Sequence, residues 1–270
     1  MSNLTKRIIT ALIILPPILA LLFMGNPIHI AAFAIILAGM AGFEFASISL
    51  EKNQYLQKFL TSSLSAIFAM ALALSVKNIT ISISVIITVA PICFLMFMFG
   101  SDNNKKLFYS TASSLTGIIY TGGLFGALAL IPLKNIDNGK YWILLLLSSV
   151  ILNDTFAYTT GRLFGKHKLN KTISPNKTWE GSFGGIIGSL VAAITVKELF
   201  LQNIPILHII IFGIILGVGG QVGDLMESFV KRSFDVKDSG KILPGHGGIL
   251  DRMDSLMLGA PIVLLFSTLI

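Results

Sequence analysis

The sequence predicts an all-α, polytopic integral membrane protein with about nine transmembrane helices. Three observations carry this. Of the 270 residues, 54% are hydrophobic and only 12% are Asp, Glu, Lys or Arg. Soluble domains carry about 25% charged residues, twice this fraction, so a soluble fold would lack the charge to cover its surface. The apolar residues fall in blocks of about twenty, long enough for a helix to cross a hydrocarbon core of about 30 Å. The blocks are continuous rather than alternating, which excludes a transmembrane β-barrel. A single cysteine, Cys93, excludes a disulfide scaffold and a cysteine-based metal site.

The expected spans are 8–24, 28–48, 59–76, 79–100, 111–133, 141–161, 181–200, 206–230 and 253–270. Lys6 and Arg7 before the first block resemble a signal peptide, but no small-x-small pattern closes the segment, so it reads as a span. Asn26-Pro27 separates spans one and two, and Lys77-Asn78 makes a tight hairpin between three and four. With nine spans, one set of loops holds sixteen of the twenty basic residues: Lys6, Arg7, Lys52, Lys58, Lys105, Lys106, Arg162, Lys166, Lys168, Lys171, Lys177, Lys231, Arg232, Lys237, Lys241 and Arg252. The other set has Lys77, Lys134, Lys140 and Lys197. Basic loops stay on the cytoplasmic side, which places the N-terminus and the polar loops 162–180 and 231–252 there. The net charge of +7 is then first a topology signal and not evidence for nucleic acid binding.

Acids divide the chain functionally. Residues 1–150 hold Glu44, Glu51, Asp102 and Asp137; the other nine lie between 154 and 254. We therefore divide the single membrane domain into N-terminal scaffold helices, 1–140, and C-terminal catalytic helices and loops, 141–270. Asp154 lies inside the sixth span, where an ionised carboxylate costs a few kcal/mol and usually marks a site. Asp154, Tyr158 and Arg162 share one helix face, and Gly161 allows another backbone to approach. Ser174-Pro175 reads as a capped helix start, with Lys177 beside it, suited to an anion. The glycines at 181, 184, 185, 188, 213, 217, 219 and 223 read as close-packing positions, those of 217–223 also as a loosened stretch near a site. Asp224, Glu227, Ser228 and Lys231 share a face near the end of the eighth span. Carboxylates suit Mg²⁺, although Glu227 and Lys231 also fit a plain i, i+4 ion pair. The segment Gly245-His246-Gly247-Gly248 can aim backbone N–H groups at phosphate, and Asp251 follows it.

Residues 228–254 resemble the signature of phosphatidate cytidylyltransferases, also called CDP-diacylglycerol synthases. Its fixed positions are all present: Ser228, Lys231, Arg232, Lys237, Asp238, Gly240, Leu243, Pro244, His246, Gly247, Gly248, Asp251, Arg252 and Asp254. Upstream, Asp154–Tyr158, Gly161-Arg162 and Ser174–Thr178 are similar to the family, with Asn176 departing from its usual residues. The resemblance covers about residues 150–254. It implies transfer of a cytidylyl group from CTP to phosphatidic acid, giving CDP-diacylglycerol and pyrophosphate. It further implies a Mg²⁺ cofactor on Asp224 and Asp251, with room for a second metal ion. Lys231 and Arg232 would be catalytic, joined by Lys237 and Arg252 in neutralising phosphates. Substrate contacts are expected at Asp154, Ser174, Lys177, Thr178, Ser228, Asp238, His246, Gly247 and Gly248. Membrane lipids and a homodimer are expected partners, and a bacterial inner membrane with a cytoplasmic site the expected location. The lipid phosphate is already largely dianionic near neutral pH, so the barrier lies in charge neutralisation rather than proton removal. Two other readings compete: a CTP-dependent lipid kinase, which releases CDP, and an ion-coupled transporter, which needs paired halves that the sequence does not display.

Overall fold

The computed structural model describes residues 16–98, 103–170, 172–240 and 247–270. Lys6, Arg7, Asp102, Lys171, Lys241, Leu243, Pro244 and His246 lie outside the described residues, as do 8–15 of the first expected span and 99–100 of the fourth. Among the described residues, seven helices are long and apolar enough to cross a membrane, and a shorter apolar helical stretch covers Ser82–Phe97. Helices account for nearly all regular structure, with one small β-hairpin added. The chain forms two compact units: residues up to Lys134 with Asp238–Arg252, and Asn135–Lys237 with Met253–Ile270.

The first unit starts with α1 (residues 16–24). Then come α2 (Pro27–Ser49), α3 (Tyr55–Leu74), α4 (Ile79–Met98) and α5 (Asn104–Gly117). A π-helical turn, Ile118–Gly122, joins α5 to α6 (Gly123–Lys134). The expected fifth span, 111–133, is thus part of a longer helical stretch that begins at Asn104. Asn26 caps α2 by accepting from His29 N at 3.0 Å, with Pro27 at the first position, where its missing N–H costs nothing. Lipid gives no hydrophobic reason for helices to associate, so small residues and hydroxyls do it. A Cβ at Gly126 would lie 3.0 Å from Ala69 Cα. Thr61 donates to Ser114 Oγ and Thr121 to Ser65 Oγ, each at 3.0 Å, and Ser62 donates to Gly39 O at 2.8 Å. Cys93 is fully buried in an apolar cluster with Phe68 and Ile118.

The second unit holds α7 (Gly139–Phe164), strands β1 (Lys168–Asn170) and β2 (Ser174–Thr178), α8 (Trp179–Phe200) and α9 (Ile206–Ser233). Most of α10 (Leu250–Leu269) belongs to it as well. Here the expected helix start at Ser174-Pro175 is corrected. These residues form β2, antiparallel to β1, with Asn170 opposite Ser174. Proline is tolerated on an edge strand because it has no ladder donor to lose. The cap moves to Thr178, whose Oγ1 accepts from Gly181 N at 3.1 Å. Glu180, in the first turn of α8, accepts from Lys166 N at 3.1 Å and meets His167 Nδ1 at 2.6 Å, tying the hairpin to the helix.

The glycines pack as expected. A Cβ at Gly188 would lie 2.8 Å from Leu152 C and 3.0 Å from Phe156 Cβ, so α8 rests on the backbone of α7. At Gly185 it would meet Asn153 Oδ1 at 2.6 Å and Gln221 Nε2 at 2.7 Å. The stretch 217–223 is continuous helix within α9 rather than loosened. Asn153 donates to Gly217 O at 2.9 Å and Ser189 to Gly213 O at 2.9 Å. Trp142, Phe212 and Phe266 form an aromatic cluster joining α7, α9 and α10. Large apolar residues such as Phe183 (65%) and Ile187 (55%) are exposed along α8. That outer surface suits hydrocarbon. The end of α9 has the Schellman pattern: Val236 N donates to Lys231 O and Asp235 N to Arg232 O. Asp235 takes the left-handed position (φ 54°) that glycine usually fills.

Gly188→Val should lower stability by roughly 1–3 kcal/mol through overpacking of α7 against α8, read as a lower melting temperature in detergent. Thr178→Ala should cost about 1 kcal/mol by leaving the start of α8 uncapped, read in the same assay.

Candidate functional site

A cleft of about 500 Å³ opens in the second unit, within the range of small-molecule sites. Helix α7 supplies Asn153, Asp154, Tyr158, Gly161 and Arg162; the β2 strand supplies Asn176, Lys177 and Thr178; α8 supplies Gly181 and Ser182; α9 supplies Gln221 and Asp224. The i, i+4, i+8 face of α7 is one wall, with Arg162 Nη1 donating to Tyr158 OH at 3.2 Å. The wall meets β2 and α8 closely because a Cβ at Gly161 would lie 3.1 Å from Thr178 Oγ1 and 3.5 Å from Gly181 Cα.

The cleft's charge is concentrated around one ion pair. Lys177 Nζ donates to Asp224 Oδ2 at 2.5 Å, and both side chains are partly exposed. Ser228, one turn along α9, donates to Asp224 Oδ1 at 3.4 Å. Asp254, on α10 in the same unit, feels the charges of Asp224, Asp154 and Lys177. The cleft lining itself balances two carboxylates, Asp154 and Asp224, against two cations, Lys177 and Arg162. Among the described residues, no three metal-ligating side chains converge in a metal-holding group, so a metal ion would need further ligands from substrate or water.

Polar groups below the cleft fix its floor. Gln221 Nε2 donates to Ser182 O at 2.9 Å and to Asn153 Oδ1 at 3.3 Å, while Ser182 Oγ donates to Gln221 Oε1. This amide network crosslinks α7, α8 and α9 one turn from Asp224. Neither Gln221 nor Asn153 stood out in the sequence. The available signal was the cost of amide side chains inside apolar spans, the same signal that marked Asp154.

Other expected residues are placed elsewhere. Lys231 Nζ meets Glu227 Oε2 at 2.5 Å, the i, i+4 pair, with Glu227 almost fully buried. Arg232 Nη1 donates to Val236 O at 3.2 Å, and Lys237 is exposed. Ser174 is on β2 but does not line the cleft. Asp238, Gly247, Gly248, Asp251 and Arg252 belong to the first unit. There Asp251 Oδ2 accepts from Ser239 N at 2.9 Å, Ser239 Oγ at 3.0 Å and Gly248 N at 2.8 Å. The N–H of Gly248, expected to face phosphate, thus serves a carboxylate of its own loop. Gly247 has a left-handed backbone (φ 81°), and a Cβ there would lie 2.5 Å from Asp251 Oδ2. Gly185 and Gly188, close-packing positions in the sequence, are engaged within the chain.

Comparison with known proteins matches this arrangement of residues to one family. The cytidylyltransferase family matches residues 5–270. A protein named phosphatidate cytidylyltransferase from Staphylococcus saprophyticus is 46% identical over 162 residues, 60% of this chain and 61% of that protein. Proteins of the same name from Staphylococcus haemolyticus and Staphylococcus aureus are 45% and 41% identical, again over 60% of this chain and 61% of theirs. The chain thus spans about three fifths of the length of the curated relatives it matches. The family match covers the first unit and the second, from the apolar N-terminal helices to the Asp224–Lys177 cleft, and on that extent the chain belongs to the cytidylyltransferase family.

Proposed function

We propose that the protein transfers a cytidylyl group from CTP to phosphatidic acid, forming CDP-diacylglycerol and pyrophosphate at a cytoplasmic membrane face. The observation that carries this is the Lys177–Asp224 pair in a cleft that also holds Asp154 and Arg162, in a family whose similar curated members are named for this reaction. The reading includes nine spans in a bacterial inner membrane, with the loops 162–180 and 231–252 in the cytoplasm, as the basic residues require. CTP would then arrive from water and phosphatidic acid from the bilayer.

The residues present fit Mg²⁺. Lys177's ammonium already occupies the cation position on Asp224, and Mg²⁺ takes one or two carboxylates and completes its shell with phosphate and water. Asp224, in the cleft, would hold the ion; Asp251, the partner expected from the sequence, has Oδ2 taken up by its loop. Bound Mg²⁺ supplies neutralisation of the triphosphate and of charge growing at the α-phosphorus. Lys177 exchanges its carboxylate for a phosphate oxygen. Thr178 Oγ1 accepts from Gly181 N and keeps its own proton to donate to substrate. Arg162 and Tyr158 orient the anion from the opposite wall. Lys231, Arg232, Lys237 and Arg252 draw the triphosphate and the lipid phosphate toward the surface by their field. No side chain is required as a strong base, because the lipid phosphate is already the nucleophile.

The purified protein in detergent, given labelled CTP, phosphatidic acid and Mg²⁺, should form CDP-diacylglycerol and pyrophosphate. Release of CDP with a phosphorylated lipid would replace the reading with a lipid kinase. Asp224→Asn and Asp251→Asn should each lower turnover by about a hundredfold or more, with the folded protein retained. Turnover near the wild-type rate in Asp224→Asn would remove that residue from the site. Chelation with EDTA should abolish the reaction and added Mg²⁺ restore it; full activity in excess EDTA sinks the metal assignment.

A further inference from the structure

We propose that Glu44, in the half that the sequence assigns to scaffold, is a positioning residue for the glycine-rich loop that carries the family signature. The proposal rests on the cytidylyl-transfer reading above. Glu44 lies in the apolar helix α2 and is only 2% exposed. A carboxylate in that setting requires donors, and among the described residues those it has come from the signature segment. Its Oε1 accepts from Ile249 N at 2.9 Å; its Oε2 accepts from Leu250 N at 2.9 Å and from Ser239 Oγ at 3.0 Å. The two amides stand at the start of α10, where N–H groups lack intrahelical partners and the helix end is positive.

Asp251 closes the same loop from the other side. It takes the N–H groups of Ser239 and Gly248 and also lies 3.0 Å from Ser239 Oγ. The Ser239 hydroxyl has one proton and faces two carboxylates, so it couples them. Glu44 therefore sets where Ser239 and the start of α10 lie, and through them where Asp251 lies. Space makes the same point. A Cβ at Gly240 would lie 2.5 Å from Glu44 Oε1, and one at Gly248 would lie 2.7 Å from Glu44 Cδ. These two signature positions are small because the Glu44 carboxylate occupies the room beside them. No substrate contact is needed for Glu44 to matter: a loop set wrongly displaces Asp251 and its neighbour Arg252.

The test uses the full chain in detergent or lipid nanodiscs. Glu44→Gln keeps the volume of the side chain and removes its charge and one accepting oxygen. It should lower kcat by about ten- to a hundredfold, the scale of a slightly misplaced catalytic group, with KM for CTP little changed. Amide hydrogen exchange should accelerate at residues 239–240 and 247–252 and stay at wild-type rates in α2 to α6. Glu44→Asp, which restores the charge, should regain part of kcat. A wild-type kcat in Glu44→Gln overturns the proposal, as does a fall in kcat with protection lost evenly across the first unit. If Glu44→Gln does not fold, Ser239→Ala removes one donor without stranding a charge; unchanged exchange at 239–240 and 247–252 in that variant overturns it too. Should the wild-type protein form no CDP-lipid, the cytidylyl reading fails, while the exchange pattern still reports separately on Glu44's hold on the loop.

Discussion

An acid inside an apolar helix has to find its donors within the chain, because hydrocarbon has none to give. That requirement shapes both units. Glu44 draws the start of α10 and Ser239 to itself. Glu227 takes Lys231 from the next turn of its own helix. Asp224 takes Lys177 from a strand 47 positions earlier. Each partner arrives by a different route, local in the helix or long-range through a loop. The polar residues of this protein are consequently organised into a few tight groups, with apolar surface everywhere around them.

Small residues provide the access that these groups need. At Gly161 and Gly181 two backbones approach so that Thr178 reaches the cleft wall. At Gly240 and Gly248 the loop closes over a carboxylate. Glycine-rich loops can cradle phosphate with their backbone N–H groups, yet Gly248 here directs its N–H to Asp251. Their smallness serves the shape of the loop as much as any ligand.

Legibility in the sequence followed range. The apolar blocks, the Asn26-Pro27 helix start, the Asp154–Tyr158–Arg162 face and the Glu227–Lys231 pair are all local, and residues within two helical turns announce them. Lys177, Thr178 and Asp154 on one cleft with Asp224 were also expected as site residues, on resemblance more than on physics. Helix spacing could not place Glu44 against Ile249, because 205 positions separate them. Its isolation in an apolar span was nevertheless visible, and the rule that flagged Asp154 applied to it equally. Ser174-Pro175 misled for a different reason: the pair suits a helix start in isolation, but an antiparallel partner at Lys168–Asn170 made it an edge strand.

The resting bond between Lys177 and Asp224 has a consequence for selectivity. A ligand that approaches Lys177 competes with an internal counter-ion at 2.5 Å, so its apparent affinity is reduced by the fraction of protein in which that bond is open. A weakly charged nucleotide gains little from breaking it. A ligand that carries an anionic and a cationic group together would exchange both partners at once, its anion replacing Asp224 at the lysine and its cation replacing the lysine at Asp224. Opening the pair therefore costs least for a ligand that carries both charges.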